Sequence, residues 1–425
     1  MFHRSLPVCV IAISATPVIA CGAEPGPSAG GPQAVTETRG DTTVVRTLSR
    51  SVWGGDATLV PELSIGEMEG PDELLFGRIA SIAVDDEGRV HVLDGQALKL
   101  RVFDPTGAYI ETLGGPGEGP GELRTAESVV PLADGRVAVN DQLGFRVQLY
   151  RPGGGESEAW SYSAGGVILR LRQLYADRRG RILVVAPQRS PSGRLVPQVI
   201  VFDANGPPRD TLLPPGGDFE PPSVGLELAM GAGRARTISQ PVPLTARRYW
   251  TLNPDGRFVS GISTDYRIDV QRDDGVLRIE RAHEPVAAPE AERAYHRERL
   301  TRALRVTQPD WEWNGPPVPG TKPPFRGLVA GRDGRIWVRL WTEASPEANE
   351  DHDPDNPRSE PVTWPSALRY DVFEPDGTYL GAVSPPEGFA DYPQPVFDGD
   401  HAWAVTRDAF DVERVVRFRI EVPER

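Results

Sequence analysis

Histidine and carboxylate side chains are the residues of this chain that could hold a metal ion. The sequence has only six histidines; His91 precedes Asp94 by three residues, and Asp141 ends a similar stretch further along. Imidazole nitrogen and carboxylate oxygen are ligands of Zn²⁺, and carboxylate oxygen is a ligand of Ca²⁺. A zinc centre usually needs three well-placed ligands, and the sequence does not identify a complete histidine set. Hydrogen-bonded strand and turn residues are therefore the favoured interpretation.

Common catalytic motifs are absent from the sequence. The chain has no G-x-S-x-G, H-E-x-x-H or P-loop pattern, so nothing indicates the common hydrolases or nucleotide enzymes. Loop 114–122 is rich in Gly and Pro, but its prolines cannot donate hydrogen bonds and its glutamates would repel phosphate. Stretch 351–356 is acidic but lacks the glycine of a calcium loop. We interpret the first as a rigid crossover between repeats and the second as a solvated insertion.

The N-terminus has the pattern of an exported protein. Arg4 is followed by an uncharged run from Ser5 to Ala20, which is too short and too interrupted by proline to span a bilayer permanently but suits a secretory signal. The run ends in Val18-Ile19-Ala20-Cys21, which resembles the lipobox of bacterial lipoproteins. By that resemblance residues 1–20 are a signal peptide and Cys21 becomes the acylated N-terminus.

Cysteine usage favours the same interpretation. The chain has two cysteines, and Cys9 would leave with the signal, so the mature protein would carry one thiol that lipidation removes. Residues 21–40 are predicted to be a flexible tether, because Gly22–Gln33 is rich in Gly and Pro and nearly free of apolar side chains. We expect an exported protein, lipid-anchored in the cell envelope. Gly22 is not the aspartate that retains many lipoproteins at the inner membrane, which favours the outer membrane by analogy.

The charge balance limits the partners. The chain has 46 basic and 60 acidic residues, a formal net charge of −14. A negatively charged protein is repelled by nucleic acid and by anionic membrane surfaces, which argues against both as partners. The lipid anchor is thus the expected contact with the membrane.

A repeated unit organises the rest of the chain. Residues 81–110 and 128–150 each contain an alternating strand, a turn with Asp and Gly, a second alternating strand, a polar loop and a third strand. In both copies the second turn glycine follows the first at the same spacing, as Gly88 and Gly107 do. Glycine tolerates the positive φ that tight hairpin turns require. The pattern predicts antiparallel hairpins in tandem.

Four further copies of the first turn raise the number of units to six. Six such units predict an all-β, six-bladed β-propeller over residues 41–425, with each blade packed between two neighbours around a central channel. Stretch 57–65 precedes the first unit and is predicted to close the ring on the last blade, whose repeat lacks a fourth strand. We expect insertions at about 216–235, 287–324 and 342–366.

Three local patterns relate the chain to a known family. They are Phe76-Gly77-Arg78-Ile79 at the start of the first unit, strands of VxDxxxxRVxxF type, and the Gly/Pro/Glu-rich segment 114–123. In these the chain resembles the NHL-type six-bladed propellers of bacterial lipoproteins, most of which lack an assigned activity. The resemblance implies the fold and an extracytoplasmic location. Related propellers include metal-dependent lyases and lactonases with an ion in the central channel. If this chain were such an enzyme, the candidate ligands of Ca or Zn would be His91, Asp94, Asp141 and His401.

One segment is predicted to be helical. Residues 288–304 can place Ala, Tyr and Leu side chains on one face and Arg/Glu pairs on the other. Trp311 and Trp313 follow in an extended stretch. This insertion is either a lid packed on the ring or a recognition surface, because exposed tryptophan is enriched at interfaces.

Two classes of function remain open at this point. We expect a membrane-tethered binding or scaffold propeller that recognises a peptide, a glycan or a partner protein without a cofactor. The alternative is a metal-dependent lyase or lactonase acting in the channel. Binding is favoured because histidines and possible nucleophiles do not recur at positions that the repeat would bring together.

Overall fold

A computed structural model describes the chain from residue 34 to residue 423. Within this range the residues not described are 49–50, 162–172, 190–194, 204–205, 207, 217–218, 230–234, 351 and 357–358. The predicted signal peptide, Cys21 and the first part of the predicted tether lie outside the described residues.

Short strands make up most of the first half of the described chain. Three strands come first, β1 (Ala34–Arg39), β2 (Thr42–Thr47) and β3 (Ala57–Ile65), and a 3-10 turn at Asp72–Leu74 follows. Blade 1 consists of β4 (Ile79–Val84), β5 (Val90–Asp94), β6 (Lys99–Phe103) and β7 (Tyr109–Gly114). Blade 2 consists of β8 (Val129–Pro131), β9 (Val137–Asp141), β10 (Arg146–Tyr150) and β11 (Glu158–Ser161). Blade 3 consists of β12 (Leu174–Ala176), β13 (Ile182–Arg189), β14 (Leu195–Phe202) and β15 (Pro208–Leu212).

The second half adds three blades and three insertions. A hairpin of β16 (Ser223–Ala229) and β17 (Ala235–Pro241) precedes blade 4, which consists of β18 (Arg248–Leu252), β19 (Phe258–Ile262), β20 (Arg267–Arg272) and β21 (Gly275–Arg281). The next insertion holds β22 (Val286–Ala287), helix α1 (Glu290–Arg305) and β23 (Thr321–Lys322). Blade 5 consists of β24 (Phe325–Ala330), β25 (Ile336–Leu340), β28 (Tyr370–Phe373) and β29 (Tyr379–Ser384), interrupted by the hairpin of β26 (Glu347–Ala348) and β27 (Val362–Thr363). Blade 6 contains β30 (Val396–Asp398), β31 (His401–Arg407) and β32 (Glu413–Glu421).

The turn between the first two strands of a blade is stabilised by its own aspartate. The Asp85 carboxylate accepts hydrogen bonds from the backbone N–H groups of Glu87 and Arg89, and Gly88 has φ 78°. Asp177 makes the equivalent bonds in blade 3. Such side-chain turns end one strand and start the next at a defined residue, which explains why the Asp and Gly positions reveal the repeats.

The ring is closed by a strand from the N-terminal side. β3 pairs antiparallel with β32 and is therefore the outermost strand of blade 6. Inner strand β30 of blade 6 contacts β4 of blade 1. The predicted all-β, six-bladed propeller closed by residues 57–65 is confirmed.

Blade 4 also gains strands from the N-terminal segment. β2 runs parallel to β21 at the outer edge of the blade, and β1 pairs antiparallel with β2. Val44 and Val45 of β2 are buried, and Val45 packs in one cluster with Ile279 of β21. The prediction of a tether over 21–40 is therefore wrong for residues 34–39, which form β1. Because β2 is held in blade 4 by its buried side chains, it presents a free strand edge with which β1 pairs.

The core lies between neighbouring blades. Trp337 of blade 5 stacks on Phe397 of blade 6 with ring centroids 3.8 Å apart. Near the channel, the Ser81 hydroxyl accepts a hydrogen bond from the Val129 backbone, and the Ser128 hydroxyl accepts one from the next blade in the same way. Face-to-face burial of each sheet between two others is what allows short strands to form a stable ring.

The insertions pack on one another. Side chains from the β16–β17 hairpin, from α1 and from the stretch after α1 share a small apolar core that includes Val224, Leu304 and Trp311. Helix α1 begins at Glu290 and ends at Arg305, close to the predicted 288–304. In the described part of the chain, no helix is long and apolar enough to cross a membrane.

Candidate ligand-binding site

The innermost strands line a central cavity of about 560 Å³. Its walls come from β4, β8, β12 and β24 and from the segment around β30. One end lies at the first turns of the blades, where the inner strands finish. The other lies where those strands begin, so the two ends present different residues.

The turn end is bridged by arginines. Arg332 donates hydrogen bonds to Asp86 of blade 1 at 2.5 Å and to Asp398 of blade 6 at 2.7 Å. Arg178 of blade 3 pairs with Asp255 of blade 4 at 3.0 Å. Each of these two guanidinium groups has a carboxylate partner on another blade. The arginines therefore cross-link neighbouring blades at this end of the cavity, and their own positive charges are paired.

The opposite end opens into a second cavity of about 600 Å³, which we call the rim chamber. The two cavities are adjacent, since Arg339 and Asp391 line both. The rim chamber lies between the start of blade 5, the start of blade 4 and the insertions. Its lining residues are Pro243, Leu244, Thr245, Arg247, Tyr249, Glu292, His296, Arg326, Arg339, Trp341, Trp364, Pro365, Ser366, Leu368 and Asp391.

A β-bulge positions Arg326 in this wall. In the pairing of β24 with β25, Phe325 lies opposite Leu340 and Gly327 lies opposite Arg339, so Arg326 is the extra residue. Bulges redirect a side chain out of the regular alternation and are common beside functional sites. The Arg326 guanidinium lies 4.6 Å from the centre of the Trp341 ring and donates a hydrogen bond to the Ser366 hydroxyl at 3.1 Å.

Arg339 is held by a carboxylate. It forms an ion pair with Asp391, which comes from the segment before β30. Its Nε is buried and has no hydrogen-bond partner among the described residues. Blade 5 thus supplies two guanidinium groups to the chamber, while the segment entering blade 6 supplies one carboxylate.

Burial in the chamber wall shifts the pKa values of Arg326 and Tyr249. Burial, with a further contribution from the charge of Arg339, lowers the pKa of Arg326 to about 10. Burial raises the pKa of Tyr249 above its usual value, against the opposing effect of Arg247, Arg326 and Arg339. Arg326 remains charged at neutral pH but is destabilised there by dehydration and by a like charge.

The helical insertion contributes a balanced pair and a neutral histidine. Glu292 and Lys322 form an ion pair at 2.7 Å with both side chains almost fully buried. Burial, together with Arg299 and Lys322, lowers the pKa of His296 to about 4. His296 is therefore neutral at pH 7 and can exchange hydrogen bonds without carrying charge.

Asp94 and Asp141, two of the four predicted metal ligands, stabilise loops instead. Asp94 accepts hydrogen bonds from the backbone of Gln96 and Ala97 at 2.9 Å and pairs with Arg101 at 3.0 Å. Asp141 occupies the equivalent position in blade 2 and pairs with Arg146 at 2.9 Å. Both carboxylates are completely buried and fully engaged, so they have no free oxygen directed at the channel.

The two predicted histidine ligands lie elsewhere. His91 is completely buried, and its Nε2 lies 3.0 Å from the Asp85 carboxylate of the first turn. His401 is 41% exposed and lies 3.4 Å from Glu62 of β3. His91 and Asp94 are three residues apart on β5 and so point to opposite faces of the sheet. None of the four lines the central cavity.

The described residues contain no group of three or more His, Cys, Asp or Glu side chains that could hold a metal ion. His91, Asp94, Asp141 and His401, the candidate ligands of the metal-dependent alternative, do not come together at one channel site. Each of these side chains is engaged by its own hairpin or by a strand beside it.

The tryptophans predicted as a recognition surface have different roles. Trp311 is 3% exposed, and its indole N–H donates to the Gly225 carbonyl at 2.8 Å. Trp313 is partly buried and lies under the Arg297 guanidinium. The ring of Trp311 fills the small core between α1 and the β16–β17 hairpin, which favours the packed insertion over the recognition surface at this residue.

Sequence reasoning did not identify Arg326, Arg339, Trp341 or Trp364. The available signal was a charged residue, Arg326, near the start of a mostly apolar strand. It carried little weight because charged residues at strand ends are usually solvated.

Comparison with known proteins agrees with the architecture. A family described as a 6-bladed beta-propeller, DUF5128, matches residues 64–131. The chain is a six-bladed β-propeller. No curated protein matches it.

Solved propellers resemble the chain at low identity. A member of the DUF4221 family from Bacteroides vulgatus is 11% identical, with 87% of this chain and 99% of that chain covered and a TM-score of 0.49. Virginiamycin B lyase from Staphylococcus aureus is 11% identical over 80% of this chain and 94% of its own, with a TM-score of 0.37. A gluconolactonase from Xanthomonas campestris is 11% identical over 85% and 97%, with a TM-score of 0.39.

Proposed function

We propose that this protein is an exported, lipid-anchored binding propeller that takes a small ligand, or the end of a peptide or glycan, into the rim chamber. The observation that carries the proposal is the chamber itself. It is a concave site of about 600 Å³ with aromatic walls and a few converging polar groups, and it lies next to the central cavity. Ligand sites in proteins typically have this size and composition.

Positioning of the chamber residues favours binding. Arg326 is set by a bulge, Arg339 by its ion pair and the helical insertion by the buried Glu292–Lys322 pair. Rigid positioning lowers the entropy lost when a ligand binds. The four candidate ligands of the lyase or lactonase alternative each have other partners, and the described residues contain no group of three or more His, Cys, Asp or Glu side chains that could hold a metal ion.

The envelope location rests on the sequence of the N-terminus. The uncharged run ending at Cys21 and the Gly/Pro-rich stretch after it fit a lipidated terminus joined to the propeller through a tether that ends before β1. An anchored propeller would encounter ligands of the envelope or of the medium.

The chamber can be tested by filling it. Ser366→Trp places a large side chain in the chamber, whereas Ser345→Trp places the same side chain on an exposed part of the same insertion. The intact chain is incubated with an envelope extract of the cells that express it, and retained small molecules are identified by mass spectrometry. We expect a compound retained by the wild type and by Ser345→Trp but lost in Ser366→Trp. Equal retention by Ser366→Trp, or no retained compound at all, would contradict the proposal.

Elemental analysis separates binding from metal catalysis. The double variant His91→Gln, His401→Gln removes both predicted histidine ligands and spares the two structural aspartates. We expect no stoichiometric Zn or Ca that depends on these histidines. Stoichiometric metal in the wild type, lost in the double variant together with turnover of a lactone, would establish the enzyme alternative instead.

A further inference from the structure

The rim chamber holds more guanidinium groups than carboxylates. Arg247, Arg326 and Arg339 all line it, and Asp391 pairs with Arg339. The other lining carboxylate, Glu292, is neutralised by Lys322. The chamber thus has an excess of positive charge although the whole chain has a formal net charge of −14.

Arg326 is a partly buried cation of the chamber that has no ion pair of its own. Among the described residues its guanidinium has a hydroxyl partner, Ser366, and an aromatic neighbour, Trp341, but no carboxylate within ion-pair distance. At the turn end of the channel, by contrast, Arg178 and Arg332 each have a carboxylate. Burial and the like charge of Arg339 lower the pKa of Arg326 and outweigh the charge of Asp391, which raises it. An anion bound directly to the Arg326 guanidinium would offset this cost of dehydration.

The walls beside Arg326 are flat and apolar. Trp341 lies under its guanidinium, and Trp364, Tyr249 and Leu368 line the same cavity. Aromatic walls suit a ring or an apolar body, and a guanidinium presents a planar fork of N–H donors to a carboxylate or phosphate.

We propose that the rim chamber selects organic anions, with a carboxylate or phosphate group bound by Arg326 and an apolar or ring-shaped body against Trp341 and Trp364. This rests on the proposed binding function and adds the chemical class of the ligand. Arg339 keeps its pair with Asp391 and adds positive potential, while Arg247 lies exposed at the entrance and attracts the anion.

Three probes test the class directly. Benzoate, phenyl phosphate and the uncharged benzamide are titrated at millimolar concentration into the intact chain by isothermal calorimetry. We expect saturable binding of at least one of the two anions, weakened by added salt, with benzamide at least about tenfold weaker, because a charge-assisted hydrogen bond is lost. The tighter of the two anions identifies carboxylate or phosphate as the preferred group.

Variants assign the effect to Arg326. Arg326→Gln should weaken the anion about tenfold or more and leave benzamide unchanged, whereas Arg326→Lys should retain part of the anion affinity. Arg414→Gln, which removes an arginine paired with Asp408 outside the chamber, is the matched control and should bind as the wild type does. Urea unfolding of each variant verifies that it is folded.

The outcomes distinguish the two proposals. Absence of binding by both anions, equal affinity for benzamide, or an unchanged folded Arg326→Gln variant would overturn selection of anions. If Ser366→Trp still abolishes retention of an extract compound in that case, binding in the chamber stands and the class of ligand is wrong. If Ser366→Trp changes neither retention nor anion titration, the chamber is not the site.

Discussion

Asp94 and Asp141 perform the same structural task in successive blades. Each ends the second strand of its blade, accepts backbone N–H groups of the following loop and pairs with an arginine of the third strand. Repetition of a fully engaged carboxylate is a sign of architecture, because a single functional site needs its ligands once.

Replacement of Asp94 by asparagine should therefore destabilise the fold. Asp94→Asn keeps the side-chain shape but leaves the buried Arg101 without a counter-charge, and we expect a loss of about 3 kcal/mol in the free energy of unfolding. Asp269→Asn removes a half-exposed pair with Arg278 and should cost less than about 1 kcal/mol. Urea unfolding at neutral pH measures both. Equal, small losses would indicate that the Asp94 pair contributes little.

Acid sensitivity should follow from the same carboxylate. Burial tends to raise the pKa of Asp94, but hydrogen bonds from Ala97, Gly77 and Arg101 outweigh it, so the pKa in the folded protein lies below its usual value. Its contribution to stability is present above the unfolded-state pKa of about 3.9 and is lost as the pH falls through the folded-state value. Wild-type stability should therefore decrease more steeply than that of Asp94→Asn as the pH falls from about 5 to about 3. Parallel decreases in urea midpoint would contradict this assignment.

At the scale of elements, β3 joins the last blade to its neighbour. It pairs with β32 along most of that strand and meets β29 of blade 5 in parallel. Ala57, Leu59 and Ile65 are buried, so the strand contributes both backbone pairing and core to the last blade. A strand before the first blade thus determines whether the sixth is complete.

Removal of this strand should expose a sheet edge. A chain that begins at residue 67 lacks β1 to β3, and we expect it to aggregate because β32 is left unpaired on its outer side. A chain that begins at residue 41 lacks only β1, whose residues are mostly exposed, and should stay monomeric. Size-exclusion chromatography with light scattering compares the two. A monomeric chain from residue 67 with unchanged melting would show that closure does not depend on β3.

At the scale of the whole molecule, the predicted lipid anchor precedes the propeller in the sequence. Cys21 lies outside the described residues, and its acylation stays a prediction from the sequence. Each buried methylene of an acyl chain contributes about 0.8 kcal/mol, so several chains would hold the mature protein firmly in a membrane.

Partitioning into detergent tests the anchor. The wild type should enter the detergent phase and carry the mass of an acylated terminus, while Cys21→Ser should stay in the aqueous phase. The binding properties of the chamber should be the same in both proteins. Unchanged partitioning and unchanged mass in Cys21→Ser would exclude the lipid anchor.

The sequence by itself determined the fold. Turn aspartates and glycines and the two-residue alternation act within a few residues, so they are readable without distant contacts, and they predicted six blades and the closing role of 57–65. Such local patterns do not show which partners a side chain has. The sequence therefore left Asp94 and Asp141 as candidate ligands of a metal ion.

Only the tertiary structure decided where a ligand could bind. The rim chamber joins Arg247 of the segment entering blade 4, His296 of the insertion, Arg326 of blade 5 and Asp391 of the segment entering blade 6. These residues are far apart in sequence and share no repeat position, and the bulge that redirects Arg326 depends on its pairing with β25. Closure of the ring brings them together, since charge and shape at a rim depend on packing between blades, which no local pattern contains.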